Sequence, residues 1–318
     1  MSNPTFGPST TAEEVTALFS PQIKNKTILI TGVSPNGLGL HTARALATHS
    51  PRLLILAARS QASLAAAQNA IASVAPGCPT RLLTLDLSST RAVREAAQTV
   101  NSWTDVEGID VLINNAGIMS TPWGTSEDGV ELQFATNHLG PWLFTNLVMG
   151  KIVQAGGRVV FLSSLGHVYG GVRFGDVNFN EGKEYDPDVA YGQSKTANIL
   201  AAIAVAEKLK AKGVTAFSVH PGLVLTNLTR QVPMEVFKEK GFVDDNGNLL
   251  VPSKSHSQGC ATILVAALDP NIADRSGAYL CDCKVDHDDP WAEHAKGREN
   301  AEKLWALSEK LVGQTFEY

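Results

Sequence analysis

The stretch Thr31-Gly32-Val33-Ser34-Pro35-Asn36-Gly37-Leu38-Gly39 follows an apolar run at 27–30 and opens into a helical stretch from Leu38 to Ala47. A strand, a glycine turn and a helix bring free backbone N–H groups and the positive end of a helix dipole to one point, which favours a pyrophosphate. The glycines are spaced G-x4-G-x-G, so the turn alone reads equally as a phosphate cradle or as a simple tight turn. The ends of the other strands decide between the two.

Further apolar runs at 53–57, 81–85, 111–113, 158–162 and 214–219 alternate with longer alanine-rich helical segments. That alternation predicts right-handed βαβ units in an α/β, Rossmann-type doubly wound parallel sheet of about seven strands, with helices on both faces. Strands apolar on both faces lie inside such a sheet, and ligands bind just beyond their carboxyl ends. Those positions hold Gly32 to Gly39, Arg59, Asp86, Asn114 to Gly117, Ser163-Ser164 and His220-Pro221-Gly222, small or polar residues throughout.

With 318 residues, 44% hydrophobic and 18% charged, the chain can bury a sizeable core and is expected to form a single domain over 1–318. A formal charge of -5 without a Lys/Arg cluster argues against nucleic-acid and membrane partners and for small molecules or other protein chains. Residues 1–25 are polar and carry Pro4, Pro8 and Pro21, which reads as a partly ordered N-terminal arm and not as a signal peptide. The most apolar runs, 53–58 and 199–206, fall far short of the ~20 residues a membrane span needs. A soluble, cytoplasmic protein is expected, and Cys78, Cys260, Cys281 and Cys283 suit a reducing compartment. Cys281-Asp282-Cys283 reads as one face of a late strand and not as a metal site, because no second pair at ligand spacing accompanies it.

Two strand-end features carry chemistry. After the second strand comes Ala57-Ala58-Arg59-Ser60, with no carboxylate to bond an adenine ribose. A guanidinium there can pair with a 2'-phosphate, so Arg59 is read as selecting NADP(H) over NAD(H). Tyr191-Gly192-Gln193-Ser194-Lys195 opens a helix that runs through Ala206. Residues four apart share a helix face, so the Tyr191 phenol and Lys195 ammonium meet. A charge about 4 Å away is worth about 4 kcal/mol at an effective dielectric near 20, so Lys195 is expected to draw the phenol toward neutrality and fit it for acid–base work.

The glycine turn, Asp86-Leu87, Asn114-Asn115-Ala116-Gly117, Asn137, Ser163-Ser164, Tyr191 with Lys195, and Pro221-Gly222 together resemble the short-chain dehydrogenase/reductase family over about Lys26 to Leu280. Asn137-His138-Leu139-Gly140 and the sequence around Tyr191 are similar to its retinol-dehydrogenase-like branch and soluble fungal relatives. The resemblance implies that Tyr191 passes the proton, Lys195 lowers its pKa and holds the nicotinamide ribose, Ser164 bonds the substrate carbonyl, and Asn137 holds a water; Ser163 is the alternative serine. It places Gly32, Asn36, Gly37, Leu38 and Gly39 in the cofactor-binding turn, with Arg59 and the hydroxyl donors Ser34 and Ser60 at the 2'-phosphate. Asp86, Leu87, Asn115, Ala116 and Gly117 would line the adenosine side, and Pro221, Gly222, Val224 and Thr226 the nicotinamide. The usual family turn is G-x3-G-x-G; here one residue is added around Pro35-Asn36, and Asn36 stands where NADP-dependent relatives often carry a basic residue.

The implied activity is an NADP(H)-dependent ketoreductase or secondary alcohol dehydrogenase on a small, mostly apolar carbonyl or alcohol, in specialised metabolism. The alternative is a nucleotide-binding relative with a non-redox cyclase or isomerase role, or one that senses or scaffolds. Homodimers or homotetramers are common in the family. Residues 229–257, with Met234, Phe237 and a hairpin signal around Asp244-Asp245-Asn246-Gly247, read as a substrate lid. The 286–318 tail, with Trp291, Leu304, Trp305, Leu307 and Leu311 at near-helical spacing, packs on the domain. His167, Tyr169 and Tyr185 read as pocket-lining or surface-loop residues, and His138 and His220 as structural histidines.

Overall fold

The computed structural model describes the chain apart from residues 1, 2, 4, 230–233, 240, 242, 248, 249 and 289. Its strands are β1 (Thr27–Thr31), β2 (Leu53–Ala58), β3 (Thr80–Thr84), β4 (Val111–Asn114), β5 (Arg158–Leu162), β6 (Thr215–His220) and β7 (Tyr279–Cys281). They form one sheet in the order β3-β2-β1-β4-β5-β6-β7, every pair parallel, as the alternating pattern predicts. The chain leaves β1 toward β2 on one side and later returns to β4 on the other, which opens a crevice at the carboxyl ends of β1 and β4.

The helices are α1 (Ala12–Leu18), α2 (Ser20–Ile23), α3 (Leu38–Ala47), α4 (Gln61–Val74), α5 (Thr90–Ser102), α6 (Leu132–Phe134), α7 (Gly140–Leu147), α8 (Met149–Gln154), α9 (Pro187–Leu209), α10 (Met234–Glu239), α11 (His256–Leu268) and α12 (Arg298–Val312). Alternation along β1 divides the core: Ile28 and Ile30 pack with α1, α3, α4 and α11, while Leu29 packs with α5, α7, α9 and α12. Each face buries its own apolar layer, which is why the strands read as unbroken apolar runs.

Within the 1–25 arm, Thr11 and Glu14 form a capping box on α1, and Val15, Phe19 and Ile23 are buried beside α11. The tail helix α12 lies on α7 and α9, where Trp305 meets Trp142 edge-on at 5.1 Å. The expected strand face for Cys281 and Cys283 is not formed. The strand stops at Cys281, and Asp282 and Cys283 take left-handed φ values of 48° and 63° in a tight turn closed by Lys284. Of the hairpin signal, Phe242, Asn248 and Leu249 lie outside the described residues; Asp244 to Gly247 form a turn closed by Gly247 N–H on Asp244 O. No helix among the described residues is long and apolar enough to cross a membrane.

Candidate active site

The glycine turn is built by close approach. Gly32 sits at φ 75°, and a Cβ there would fall 2.7 Å from Ala116 Cα; one on Gly39 would fall 2.5 Å from Asn115 Nδ2 and 2.6 Å from Gly32 O. Asn115 Nδ2 donates to Thr31 O and Gly32 O, and the Thr31 hydroxyl accepts from the Asn115 and Ala116 amides. The β4 end thus locks the β1 turn. Gly37 is the N-cap of α3 and offers no side chain to its first-turn amides, which leaves that positive end for an anion. The residues present fit a pyrophosphate.

The added residue bulges the loop outward at Pro35 and Asn36, where Asn36 takes φ 57°. Asn227 Nδ2 donates to Pro35 O at 3.0 Å and His256 Nε2 donates to Asn36 O at 3.1 Å. These two contacts, one from just before the 229–257 segment and one from near its end, have no local signal in the sequence. Arg59 and Ser60 stand exposed after β2, Ser60 capping α4, and among the described residues no carboxylate forms a salt bridge with Arg59. The Asp86 carboxylate accepts from the Ser88 amide and hydroxyl, and the Leu87 side chain is buried, so only its backbone lies at the β3 end. Val224 bridges Lys254 and packs against Gly259, while the Thr226 hydroxyl accepts from the Leu228 amide.

The other half of the site forms where β5 runs into a 3-10 turn, Leu165–Tyr169, that packs on α9. Glycines set the distance. A Cβ on Gly166 would lie 2.9 Å from the Tyr191 ring, and one on Gly192 would lie 2.6 Å from Gly170 N. Ser164 caps the turn, its Oγ accepting from Gly166 N–H at 3.0 Å, which leaves the hydroxyl proton for another acceptor. The alternative, Ser163, is buried and donates to Lys195 O at 2.8 Å, so the two serines part: one braces α9, the other faces Tyr191.

Lys195 is buried, its Nζ donating to Leu162 O at 3.1 Å and standing 5.4 Å from the Tyr191 ring centre. Burial lowers Lys195 to about 8 and raises Tyr191 to about 12, with the Ser164 hydroxyl pulling the phenol back down. The expected drop of Tyr191 toward neutrality is therefore reversed in the protein without ligand. Both groups are desolvated, and burial disfavours the charged form of each.

Asn137 lies in a π-helical turn, Ala135–Leu139, between α6 and α7, a widened geometry that is frequent at functional sites. Its Oδ1 accepts from Ile118 N–H at 2.8 Å, and its Nδ2 donates to Ile118 O and Ser194 Oγ at 2.9 Å each. A Cβ on Gly117 would lie 3.1 Å from Asn137 Oδ1 and 3.5 Å from Lys195 Nζ, so the β4 loop, the π turn and α9 converge. Only the second lone pair of Oδ1 is left for a water.

The remaining candidates separate clearly. His138 is fully buried, bonded to Ser308 and lowered to about 3 by burial, and Tyr185 bonds Thr121 O and Gln133. Tyr169 is exposed, whereas His167 and His220 both touch the Ser164 turn.

Residues 26–236 match the family model described as short chain dehydrogenase. The chain is 38% identical to short-chain dehydrogenase TIC 32 A, chloroplastic, of Brassica napus over 96% of this chain and 94% of that protein. It is 36% identical to retinol dehydrogenase 12 of Mus musculus, over 93% and 89% of the two chains. A crystal structure of a Mycobacterium paratuberculosis protein superposes with a TM-score of 0.70 at 31% identity, covering 93% of this chain and 96% of that one.

Proposed function

Because the chain belongs to the short-chain dehydrogenase/reductase family, we propose that it is an NADP(H)-dependent oxidoreductase that interconverts a small, mostly apolar carbonyl compound and its secondary alcohol. The observation that carries this reading is the contact of the Ser164 turn with Tyr191, beside Lys195. The retinol dehydrogenases among the relatives are named for an apolar alcohol, which supports an apolar substrate. The exposed Arg59, with no acidic residue beside it at the β2 end, supports a phosphorylated ribose.

The glycine turn and the α3 amides would hold the pyrophosphate, Arg59 and Ser60 the 2'-phosphate, and Pro221, Gly222 and Lys195 the nicotinamide end. When bound, the nicotinamide supplies or accepts the hydride. The chain's own task is to fix the carbonyl and manage the proton. Ser164, its oxygen held by Gly166 N–H, donates a hydrogen bond to the carbonyl oxygen and keeps its proton. Tyr191, kept protonated by burial, donates to the same oxygen as negative charge develops there. Lys195 stands beside the phenol to stabilise the tyrosinate once the proton has left, and Asn137 holds the Ile118 backbone next to it.

The test is oxidation of NADPH and NADH by the purified protein with a panel of apolar ketones and aldehydes. Turnover with NADPH is expected, with Arg59→Asp lowering the NADPH preference by roughly tenfold or more. Tyr191→Phe should abolish turnover and leave cofactor binding intact. A protein that neither binds NADPH nor oxidises it with any panel member would refute the reading.

A further inference from the structure

The peptide that joins Ser164 to Leu165 is gripped on both of its polar atoms by histidines from separate parts of the chain. Its carbonyl accepts from His167 Nδ1 at 2.7 Å, and its N–H donates to His220 Nδ1 at 3.2 Å. The two contacts require opposite tautomers. His167 carries its proton on Nδ1, whereas His220 presents a bare Nδ1 and carries its proton on Nε2.

Each ring is itself fixed. His167 is fully buried, its Nε2 accepts from Ala292 N–H at 3.2 Å, and its ring meets Tyr279 edge-on at 5.2 Å. Its backbone carbonyl accepts from His294 Nε2 at 2.9 Å and from Thr196 Oγ1 at 3.2 Å. His220 ends β6, so its position is set by the sheet. A loop peptide at a strand end usually satisfies its polar atoms with local backbone or water. Here the carbonyl has such a local bond, from His167 N–H at 3.1 Å, and the His167 imidazole besides, while the N–H turns to an imidazole of the neighbouring strand.

We propose that His167 and His220 are positioning residues that clamp the Ser164–Leu165 peptide and so aim the Ser164 hydroxyl at the substrate oxygen; the aiming role rests on the oxidoreductase reading above. The clamp explains why Ser164 can be held in a short 3-10 turn opposite Tyr191. It also makes the segment at Ala292 and His294 part of the wall of the site, because that segment anchors the His167 ring.

The clamp needs a neutral His220, and the anchor of His167 on Ala292 needs that ring neutral too. The groups that face them are His287 and His294 for His167, and Lys254, Asp282, His167 and His287 for His220, with Lys254 ion-paired to Asp282. Burial is the main cause that holds both histidines below their usual value, and the neighbouring Lys254 adds to it at His220. Acid would put a proton on His220 Nδ1 against the Leu165 N–H, and on His167 Nε2 against the Ala292 N–H. At His220 this sets two donors against one another and opens the clamp on the N–H side; at His167 the Nδ1 bond to Ser164 O survives and the anchor on Ala292 is lost.

The experiment compares His167→Leu, His220→Leu, His167→Asn and His220→Asn, reading Leu165 amide exchange, NADPH affinity, kcat and the acid limb of kcat/KM. An Asn amide can donate to Ser164 O or accept from Leu165 N–H, so it replaces the bond that Leu removes. We expect both Leu variants to lose roughly tenfold or more in kcat, with NADPH affinity within about twofold of wild type, and both Asn variants to recover most of the loss. His220→Leu should speed Leu165 exchange, and the Asn variants should keep activity to lower pH. The proposal is overturned if the Leu variants keep kcat, if Asn is as damaging as Leu, or if NADPH affinity falls in step with kcat. Should the Leu variants fail to fold, an acid limb unmoved in both Asn variants overturns it. Absence of NADPH turnover in the wild type would instead fail the oxidoreductase reading. Leu165 exchange needs no substrate and would still decide the clamp: exchange unchanged between wild type and both His220 variants would rule it out.

Discussion

Replacing Lys195 by Met should stabilise the protein without ligand while abolishing its activity. Burial takes the Lys195 ammonium from an ordinary 10.5 to about 8. At about 1.4 kcal/mol for each factor of ten, that drop amounts to about 3 kcal/mol against the charged form. Met keeps the length of the stem and removes the charge. The lost hydrogen bond to Leu162 O costs about 1 kcal/mol, and that carbonyl still accepts from Asn198 Nδ2 at 2.8 Å. A net gain of about 2 kcal/mol near pH 7 follows, a rise in melting temperature of roughly 3 °C for a chain of this size.

The pH dependence tests the cause. A lysine whose folded pKa is depressed binds its proton more weakly in the folded state, so between about 8 and 10.5 the unfolded chain holds more protons. The wild type therefore gains stability as pH rises through that window, and its deficit against Lys195→Met should close and then reverse slightly. Tyr191, raised to about 12, changes its charge in the unfolded chain only near 10 and leaves most of the window to the lysine. Melting of both proteins from pH 7 to 10 decides the matter. A variant less stable than wild type at pH 7, or a gap that does not change with pH, would refute the reasoning.

Gly39→Ala puts a methyl 2.5 Å from Asn115 Nδ2 and 2.6 Å from the Gly32 carbonyl, so the β1–β4 lock must open. Dinucleotide affinity measured by titration should fall roughly tenfold or more, with stability down by about 1–3 kcal/mol; unchanged affinity would remove the loop from the site. Trp305→Ala empties a buried position against Trp142 and should cost about 3–5 kcal/mol in urea unfolding. A loss under about 1 kcal/mol would mean that the tail helix is dispensable to the core.

The sheet is legible because parallel strands buried on both faces leave unbroken apolar runs. β7, with only Tyr279 to Cys281, is too short to leave one. The arm's first helix carried a readable mark, Thr11-x-x-Glu14, which forms a capping box. Other features had no local signature. The π turn at Asn137, the grip of Asn227 and His256 on the added loop residue, and the parting of Ser163 from Ser164 all depend on segments far apart in the chain. Tyr191 shows the same limit from another side. Helix spacing correctly brings Lys195 beside it, but spacing carries no information about burial, and burial sets the direction of both shifts.

The departures from what stability alone would select collect in one place. A buried ammonium whose main bond is to a backbone carbonyl, a π turn inside an otherwise regular helix, and a serine peptide clamped by two histidines all converge around Tyr191. Each is unfavourable or locally irregular, and the surrounding glycine contacts and tail packing hold all three in register. Local irregularity scattered at random over a chain signals little, but irregularity concentrated where four separate segments meet marks the groups that chemistry requires. That convergence depends on geometry and not on family membership. It supports the assignment of the proton-handling site to Ser164, Tyr191 and Lys195 as evidence separate from the sequence relatives.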